Sequence, residues 1–318
     1  MSILSAPYFH DEAAAFEKLE SIIWPNGPVC PHCGEAKRIG ALEGVRSKPS
    51  KKSPEGVLRH GLKKCYGCRK QFTVRIGTVF EESHVPLHKW FQATYLLCSS
   101  KKGMSSHQLH RVLEVTYKTA WFMTHRLREA MRDGTVAGFG GDGGIVEVDE
   151  TFIGNDRTVK PKHEKKGRGY HHKHKVLALV DRESGTARAM VIDSLKAADM
   201  APILRTNIHR EATLMTDEAS YYTLVGREYK RHEIVRHNRG EYGRGEFHTN
   251  TIEGYFSIFK RGMKGVYQHC AKRHLHRYLA EFDFRYNERK VDDMERTVRA
   301  LVGIKGKRLT YKGPYQEA

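Results

Sequence analysis

The stretch Gly144-Ile-Val-Glu-Val-Asp-Glu-Thr-Phe-Ile-Gly154 decides the fold of the larger part of this chain. Apolar residues alternate with acidic ones along it, which is the period-two pattern of a β-strand. On such a strand, Glu147 and Asp149 share one face, and Val148 and Glu150 share the other. Because a carboxylate buried in mid-strand is costly without a partner, Glu147 and Asp149 predict a metal ion or basic side chains nearby. A solvated strand face is the alternative.

A glycine-rich linker precedes this strand, and an α/β pattern follows it. Residues 138–144 hold five glycines in seven positions, and such flexible composition marks a domain boundary. Downstream, apolar runs of strand length are followed by helical patterns, which indicates an α/β fold. The predicted strands are 175–181, 187–192 and 212–215, and the predicted helices are 197–209, 249–263 and 271–289.

Two further acidic residues are candidates for the same site. Asp217 stands at the end of the predicted strand 212–215, where the sites of α/β proteins gather. It could equally cap the helix that follows. Glu253 lies in the next predicted helix, on a face that it shares with Asn250 and Lys260. An exposed helix face would give the same pattern.

Carboxylates in this number suit the metal-dependent cutting of phosphodiester bonds. Two Mg²⁺ or Mn²⁺ ions about 3.5 to 4 Å apart activate the attacking oxygen and stabilise the leaving one. Such hard cations prefer oxygen ligands. The sequence therefore predicts a site for two divalent ions, with one ammonium group placed to meet a phosphate.

Four of the six cysteines form two pairs, Cys30-x2-Cys33 and Cys65-x2-Cys68. A Cys-x2-Cys turn lets two thiolates reach one ion, and two such turns complete the tetrahedral shell of one Zn²⁺. A closed shell of four protein ligands implies a structural ion that holds a small module together. A redox pair is the alternative.

Three helical patterns follow this module, over residues 87–97, 105–113 and 117–131. Their lengths and breaks favour a helix-turn-helix, whose last helix would enter a major groove of DNA. The side chains predicted to contact DNA from that helix are Lys118, Arg126 and Arg128. A helical connector without DNA contact is the alternative.

The charge of the chain points to a polyanionic partner. Its formal net charge is +18, from 55 Lys and Arg residues against 37 Asp and Glu. Nucleic acid is the first candidate, since no stretch approaches the roughly 20 apolar residues of a membrane-spanning helix. The very basic residues 157–175 are predicted to form a mobile loop on DNA. Because the N-terminal residues lack the pattern of a secretory signal, we expect a cytoplasmic protein.

Five groups of residues form a recognisable set: the zinc-ribbon cysteines, Val148-Asp-Glu-Thr-Phe-Ile-Gly154, Thr216-Asp217, His248-Thr-Asn-Thr-Ile-Glu-Gly254 continuing to Lys260-Arg261, and Tyr278 through Asn287. Together they resemble the IS1595 (ISXO2-like) family of prokaryotic insertion-sequence transposases. The resemblance implies an RNase H-like catalytic domain whose metal ligands are Asp149, Asp217 and Glu253. It also implies that Lys260 contacts DNA. We predict DNA contacts from Asn250 and Arg261 on the same helix as well.

The predicted organisation has five parts. They are an N-terminal helix and zinc ribbon at 1–82, a helical DNA-binding region at 83–137, a linker at 138–144, the RNase H-like domain at 145–292 and a basic tail at 293–318. The expected function is that of a transposase that binds terminal inverted repeats and cuts and joins strands, as at least a dimer on paired ends. A nuclease or resolvase that does not join strands is one alternative, and a zinc-ribbon transcription regulator is another.

Overall fold

A computed structural model of the chain describes residues 2–51, 53–134, 138–155, 172–236 and 247–310. Residues 157–171 of the predicted basic loop therefore lie outside the described part. The chain divides into two units, one of Met1–Arg132 with Val291–Ala318 and one of Asp133–Lys290. None of the helices within the described ranges has the length and apolar character that crossing a bilayer requires.

The described helices and strands are numbered in chain order. The helices are α1 Glu12–Ile23, α2 Leu87–Ser99, α3 Ser106–Leu113, α4 Tyr117–Met131, α5 Ala197–Asn207, α6 Ser220–Gly226, α7 Asn250–Gly262, α8 Lys272–Asn287 and α9 Asp293–Val302. The strands are β1 Ile39–Ala41, β2 Lys63–Cys65, β3 Gln71–Phe72, β4 Ile145–Ile153, β5 His174–Asp181, β6 Ala187–Ile192, β7 Thr213–Thr216 and β8 Arg231–Ile234.

The N-terminal ribbon is an antiparallel sheet in the order β1-β2-β3. Within residues 71–80, only Gln71 and Phe72 form a strand. The following residues turn instead, with hydrogen bonds from Ile76 to Thr73 and from Thr78 to Arg75. Gly77 adopts a φ of +76°, a conformation that a β-branched residue disfavours and that ends the strand pattern.

The predicted helix-turn-helix corresponds to α3 and α4, joined by a short turn. Glu114 adopts the left-handed conformation that ends α3. Thr116 then begins α4, because its hydroxyl accepts a hydrogen bond from the Thr119 amide at 3.1 Å. The side chain of Ser105 begins α3 in the same way through the Gln108 amide at 3.1 Å. Local capping therefore fixes both helix starts.

The expected basic tail is wrong at its beginning, because Asp293–Val302 forms α9. Its N-cap, Asp292, accepts a hydrogen bond from the Glu295 amide at 2.8 Å. Helix α9 contacts α1, α2 and α4 and buries Ala300 and Leu301. The residues after it also bind within this unit, since Lys307 Nζ donates to the carbonyl of Ala130 at 3.0 Å. This segment therefore belongs to the core of the first unit.

The second unit is built on a mixed sheet of five strands in the order β6-β5-β4-β7-β8. Strands β4, β5 and β6 are antiparallel neighbours, and β7 and β8 run parallel to β4. Strand β4 lies at the centre, and Val146, Glu147 and Val148 on its two faces are all buried. The short β8 was not predicted, and α6 is the helix that Asp217 was an alternative candidate to cap; the N-cap residue of α6 is Ala219.

Helices cover both faces of this sheet. On one face, Val146 and Val148 of β4 pack into a core with buried residues of α5 and α6. On the other face, Val176 and Val180 of β5 pack into a second core with α7 and α8. The alternation along β4 therefore directs Glu147 and Asp149 toward the α7 side.

Candidate active site and zinc site

The four paired cysteines lie together in the ribbon, and their sulfur atoms are within 4.8 Å of one another. Cys30 Sγ is 3.7 Å from Cys68 Sγ, and Cys33 Sγ is 3.7 Å from Cys65 Sγ. A tetrahedron with Zn–S bonds of about 2.3 Å has sulfur–sulfur edges of about 3.8 Å. Both of these sulfur–sulfur distances match such an edge, so the four side chains suit one Zn²⁺ ion.

Backbone hydrogen bonds shape the first cysteine turn and act on the Cys65 thiol. The Gly34 amide donates to the Cys30 carbonyl at 2.9 Å, and Gly34 has the positive φ of +77° that this tight turn needs. The Cys68 amide, 3.5 Å from Cys65 Sγ, is the main cause that lowers the pKa of the Cys65 thiol to about 7. A lowered pKa favours the thiolate, which is the form that binds metal.

Three carboxylates meet in the second unit. Asp149 and Glu150 of β4 and Asp217 after β7 each offer an oxygen, and these oxygens lie within 4.8 Å of one another. The parallel pairing of β4 with β7 ends at Glu147 opposite Met215. Asp217 follows β7 directly and so meets β4 at the carboxyl end of β7, where α/β sites gather.

Glu150 is a member of this group that the sequence did not single out. The alternation of β4 assigned it to the face opposite Asp149. Because β7 ends at Thr216, residues 149 and 150 of β4 extend past its pairing, and the carboxylates can meet there. Both Glu150 oxygens accept hydrogen bonds, one from the Tyr221 hydroxyl and one from the Tyr222 hydroxyl at 2.8 Å. The two tyrosines fix the Glu150 carboxylate, and no sequence motif pointed to them.

Burial and neighbouring charges raise the pKa values of two of these carboxylates, those of Asp149 and Glu150. Burial, followed by the charge of Glu150, raises the pKa of Asp149 to about 8. The charge of Lys260 acts in the opposite direction and lowers the pKa of Asp149. Burial also raises the pKa of Glu150. A divalent cation would relieve this repulsion, and the oxygen donors are those that Mg²⁺ and Mn²⁺ prefer.

The other predicted residues of this site lie on α7. Glu253 is exposed on the first turn and accepts a hydrogen bond from the Thr249 hydroxyl at 3.1 Å, and it is not in the group of three carboxylates. Lys260 is half-buried two turns further on, with Nζ 5.7 Å from the Phe256 ring. Asn250 and Arg261 are exposed on the same helix.

The DNA-contacting residues predicted on α4 need correction. Lys118 is exposed on its first turn, whereas Arg126 and Arg128 are buried, at 5% and 1% exposure. Arg126 donates to the carbonyls of Val79 and Glu81, both at 2.8 Å. Helices α2, α3 and α9 contact α4, so these guanidinium groups lie inside the unit, where they do not reach a DNA phosphate.

Two family models match this chain, and the ranges that they match include both candidate sites. A family model described as the ISXO2-like transposase domain matches residues 142–287, which include the carboxylates. A second, described as the transposase zinc-ribbon domain, matches residues 10–71, which include the four cysteines. A Halobacterium salinarum protein called "Uncharacterized protein in transposable element ISH50" is 28% identical over 295 residues, which cover 87% of this chain and 91% of that protein.

Among solved structures, the chain has a likeness to a cryo-EM structure of the simian T-cell lymphotropic virus intasome in complex with PP2A regulatory subunit B56 gamma. The identity is 12% and the TM-score 0.28, with 61% of this chain and 65% of that chain covered. This chain thus spans just under two thirds of that one. The two family matches together span more than half of the sequence and contain both candidate sites. The chain belongs to the IS1595 (ISXO2-like) family of insertion-sequence transposases.

Proposed function

We propose that this chain cuts and joins DNA as a DDE-type transposase that binds the terminal inverted repeats of its insertion sequence. The observation that carries the proposal is the meeting of Asp149, Glu150 and Asp217 in the domain that matches the transposase family. Such carboxylates have little use in a protein that only binds DNA, since crowding them raises their pKa values and lowers stability.

The proposed fold of the second unit is RNase H-like, as the family resemblance implies. Its support is the central antiparallel set β4, β5 and β6, extended by the parallel strands β7 and β8. In this arrangement β4 and β7 bring Asp149 and Asp217 to one place from positions 68 residues apart in the sequence.

In the proposed mechanism, Asp149 and Asp217 would hold the catalytic metal ions, and Glu253 of α7 would supply a further ligand. Two Mg²⁺ or Mn²⁺ ions would supply the activation of the attacking oxygen and the stabilisation of the leaving oxygen. Tyr221 and Tyr222 hold the Glu150 carboxylate beside these ligands. Lys260 lies on the same helix as Glu253 and is placed to contact a phosphate.

The first unit is proposed to bind the DNA ends. One structural Zn²⁺ would hold the ribbon, and the exposed Lys118 lies on the first turn of α4, the helix that would enter the major groove. Asn250, Lys260 and Arg261 would contact DNA at the catalytic domain. The net charge of +18 supports a polyanionic partner. Because two ends must be joined, we propose at least a dimer on paired ends, acting in the cytoplasm and on the nucleoid.

The test uses purified protein, Mg²⁺, a labelled DNA end of the insertion sequence and a supercoiled target plasmid. We expect labelled strands joined covalently to the plasmid on a denaturing gel, and no joined product from Asp217→Asn. Cleavage without joining would instead assign the chain to the nucleases. DNA binding without any metal-dependent cleavage would assign it to the regulators and contradict the proposal.

A further inference from the structure

A buried carboxylate lies next to the proposed metal site without belonging to it. Glu147 is two residues before Asp149, on the same face of β4, and has no exposed surface. Arg182 Nε donates to Glu147 Oε1 at 2.5 Å. The backbone amide of Ile252 donates to Glu147 Oε2 at 2.8 Å. The basic partner predicted for a carboxylate in mid-strand is therefore confirmed, and both oxygens have defined donors.

The same arginine reaches the residue before α7. Arg182 Nη2 donates to the carbonyl oxygen of His248 at 2.6 Å and to its Nδ1 at 2.8 Å. His248 Nδ1 is 3.6 Å from Glu147 Oε1, and it also accepts from the Asn250 amide at 3.3 Å. These contacts connect β4, the residue that follows β5 and the start of α7 within one unit.

We propose that Glu147, Arg182 and His248 form a positioning clamp that fixes the first turn of α7 against β4. The inference rests on the proposed function, because it concerns the ligand that α7 supplies. Glu253 follows Ile252 directly, and the Ile252 amide is held by the residue two positions before Asp149. The clamp thereby sets where Glu253 stands relative to Asp149. None of its three residues needs to touch the metal or the DNA.

A clamp is needed because the proposed metal ligands come from two different layers of the fold. Asp149 is fixed by the centre of the sheet, whereas α7 belongs to a different layer and contacts β4 from one side. Catalytic groups need placement within about 0.5 Å, which packing between layers alone does not guarantee. A buried carboxylate that accepts the amide of a first helical turn fixes both the height and the rotation of the helix, and it interacts favourably with the helix dipole.

Glu147→Gln is the sharpest variant, because it keeps the size of the side chain. A glutamine has one acceptor oxygen, so its amide group must face a donor at either Arg182 or Ile252 and lose that hydrogen bond. Glu281→Gln is the matched control. Glu281 is also fully buried, pairs with an arginine, Arg285, at 3.1 Å, and lies in the same unit on α8.

The experiment measures three quantities on the full-length protein. They are hydrogen exchange of the amides in the first turn of α7, Mn²⁺ affinity from the electron paramagnetic resonance of free Mn²⁺, and the Mn²⁺ concentration that gives half-maximal cleavage. We expect Glu147→Gln to speed exchange in the first turn and to weaken Mn²⁺ affinity by about 10- to 100-fold, the usual effect of losing a residue that orients a ligand. Cleavage should recover at high Mn²⁺. Glu281→Gln should lower thermal stability and change neither the exchange nor the affinity.

Faster exchange with unchanged Mn²⁺ affinity would overturn the clamp, because the contacts would then only stabilise the fold. Unchanged exchange would overturn it as well. If Glu147→Gln does not fold, Arg182→Lys replaces it, since one ammonium cannot reproduce the guanidinium contacts with both Glu147 and His248. An unsubstituted protein that neither binds Mn²⁺ nor cuts DNA would contradict the proposed function itself, whereas normal cutting with an unaffected variant contradicts the clamp alone.

Discussion

The zinc ribbon and the carboxylate site are both built to hold metal, and they differ in how the chain assembles them. The ribbon takes its ligands from two local turns, each spanning four residues. The carboxylate site takes Asp149 and Glu150 from a central strand and Asp217 from the end of its neighbour. Local spacing therefore defines the first site, whereas the second exists only once the sheet has formed.

The two sites also differ in what their ligands cost the fold. Four thiolates around one ion make a closed shell, and the ion adds stability to a ribbon whose own core is small. Phe72 is the chief buried aromatic residue beside the cysteines, and Trp24 meets it edge to face at 5.9 Å. Carboxylates that lie close together instead destabilise the folded protein when no cation is bound between them. The metal ion should thus be a structural part of the zinc ribbon and an exchangeable cofactor at the carboxylate site.

The largest expected effect comes from breaking the closed shell. Cys65→Ser should lose the bound zinc, and with it the folding free energy that a structural zinc supplies, on the order of 10 kcal/mol. We expect zinc content to fall from one ion per chain to none, and amide exchange of the ribbon to become fast while that of β4 and β5 stays slow. Cys98→Ser, a buried cysteine outside the zinc group, is the control and should keep the ion. If the ribbon amides of Cys65→Ser still exchanged slowly, zinc would not be a structural part of the ribbon, and the proposed difference between the two sites would be wrong.

A second prediction separates the two glutamates of the catalytic site. Glu253→Gln should reduce cleavage by more than about 100-fold, because it removes a proposed metal ligand. Glu150→Gln should reduce cleavage by only about 10-fold, because both Glu150 oxygens already accept hydrogen bonds from Tyr221 and Tyr222. In this account Glu150 does not bind the metal itself and only orients the neighbouring ligands. Single-turnover cleavage of a labelled DNA end measures both rates. The reverse order would make Glu150 the third ligand and assign Glu253 to a supporting role.

The third prediction concerns the stability of the metal-free carboxylate site. The pKa of Asp149 is about 8 in the folded protein and ordinarily 3.8, so the folded state keeps a proton that the unfolded state loses as pH rises. Stability should therefore fall between about pH 4 and pH 8, and Asp149→Asn should abolish that part of the fall. In chelator, we expect the variant to melt several degrees above the unsubstituted protein at pH 8 and at the same temperature at pH 4. An equal difference at both pH values would refute this explanation.

The smallest effect tests whether the unit that carries the ribbon is the one that binds DNA ends. Lys118→Ala should weaken end binding by a few fold and reduce the salt dependence by about one phosphate contact. Arg128→Met should leave the salt dependence unchanged and lower thermal stability, because Arg128 is buried and donates to the Thr124 hydroxyl at 3.3 Å. Fluorescence anisotropy at several salt concentrations measures both. An unchanged salt slope in Lys118→Ala would remove this residue from the DNA surface.

The sequence predicts those parts of the structure whose residues are neighbours in the chain, and it fails where distant segments meet. The cysteine pairs and the long strands β4 and β5 carry their pattern within a few neighbouring residues, and both were predictable. Glu150 was missed because strand alternation says nothing about where a neighbouring strand ends. Arg126 and Arg128 were wrongly predicted to be exposed. One of the helices that cover α4 is α9, which starts 162 residues after the end of α4, so no local pattern shows that these side chains are buried. Helix α9 itself was hidden in a segment whose basic composition suggested a tail.

The most direct test of the central claim asks whether Asp217 holds a metal ion while DNA is being cut. Asp217→Cys replaces a hard oxygen ligand with sulfur, which Mn²⁺ accepts better than Mg²⁺. Cleavage of a labelled DNA end is measured in each ion alone. The account predicts that the variant is inactive with Mg²⁺ and regains part of its activity with Mn²⁺. Cleavage at the unsubstituted rate with Mg²⁺ would contradict it, because Asp217 would then hold no catalytic ion.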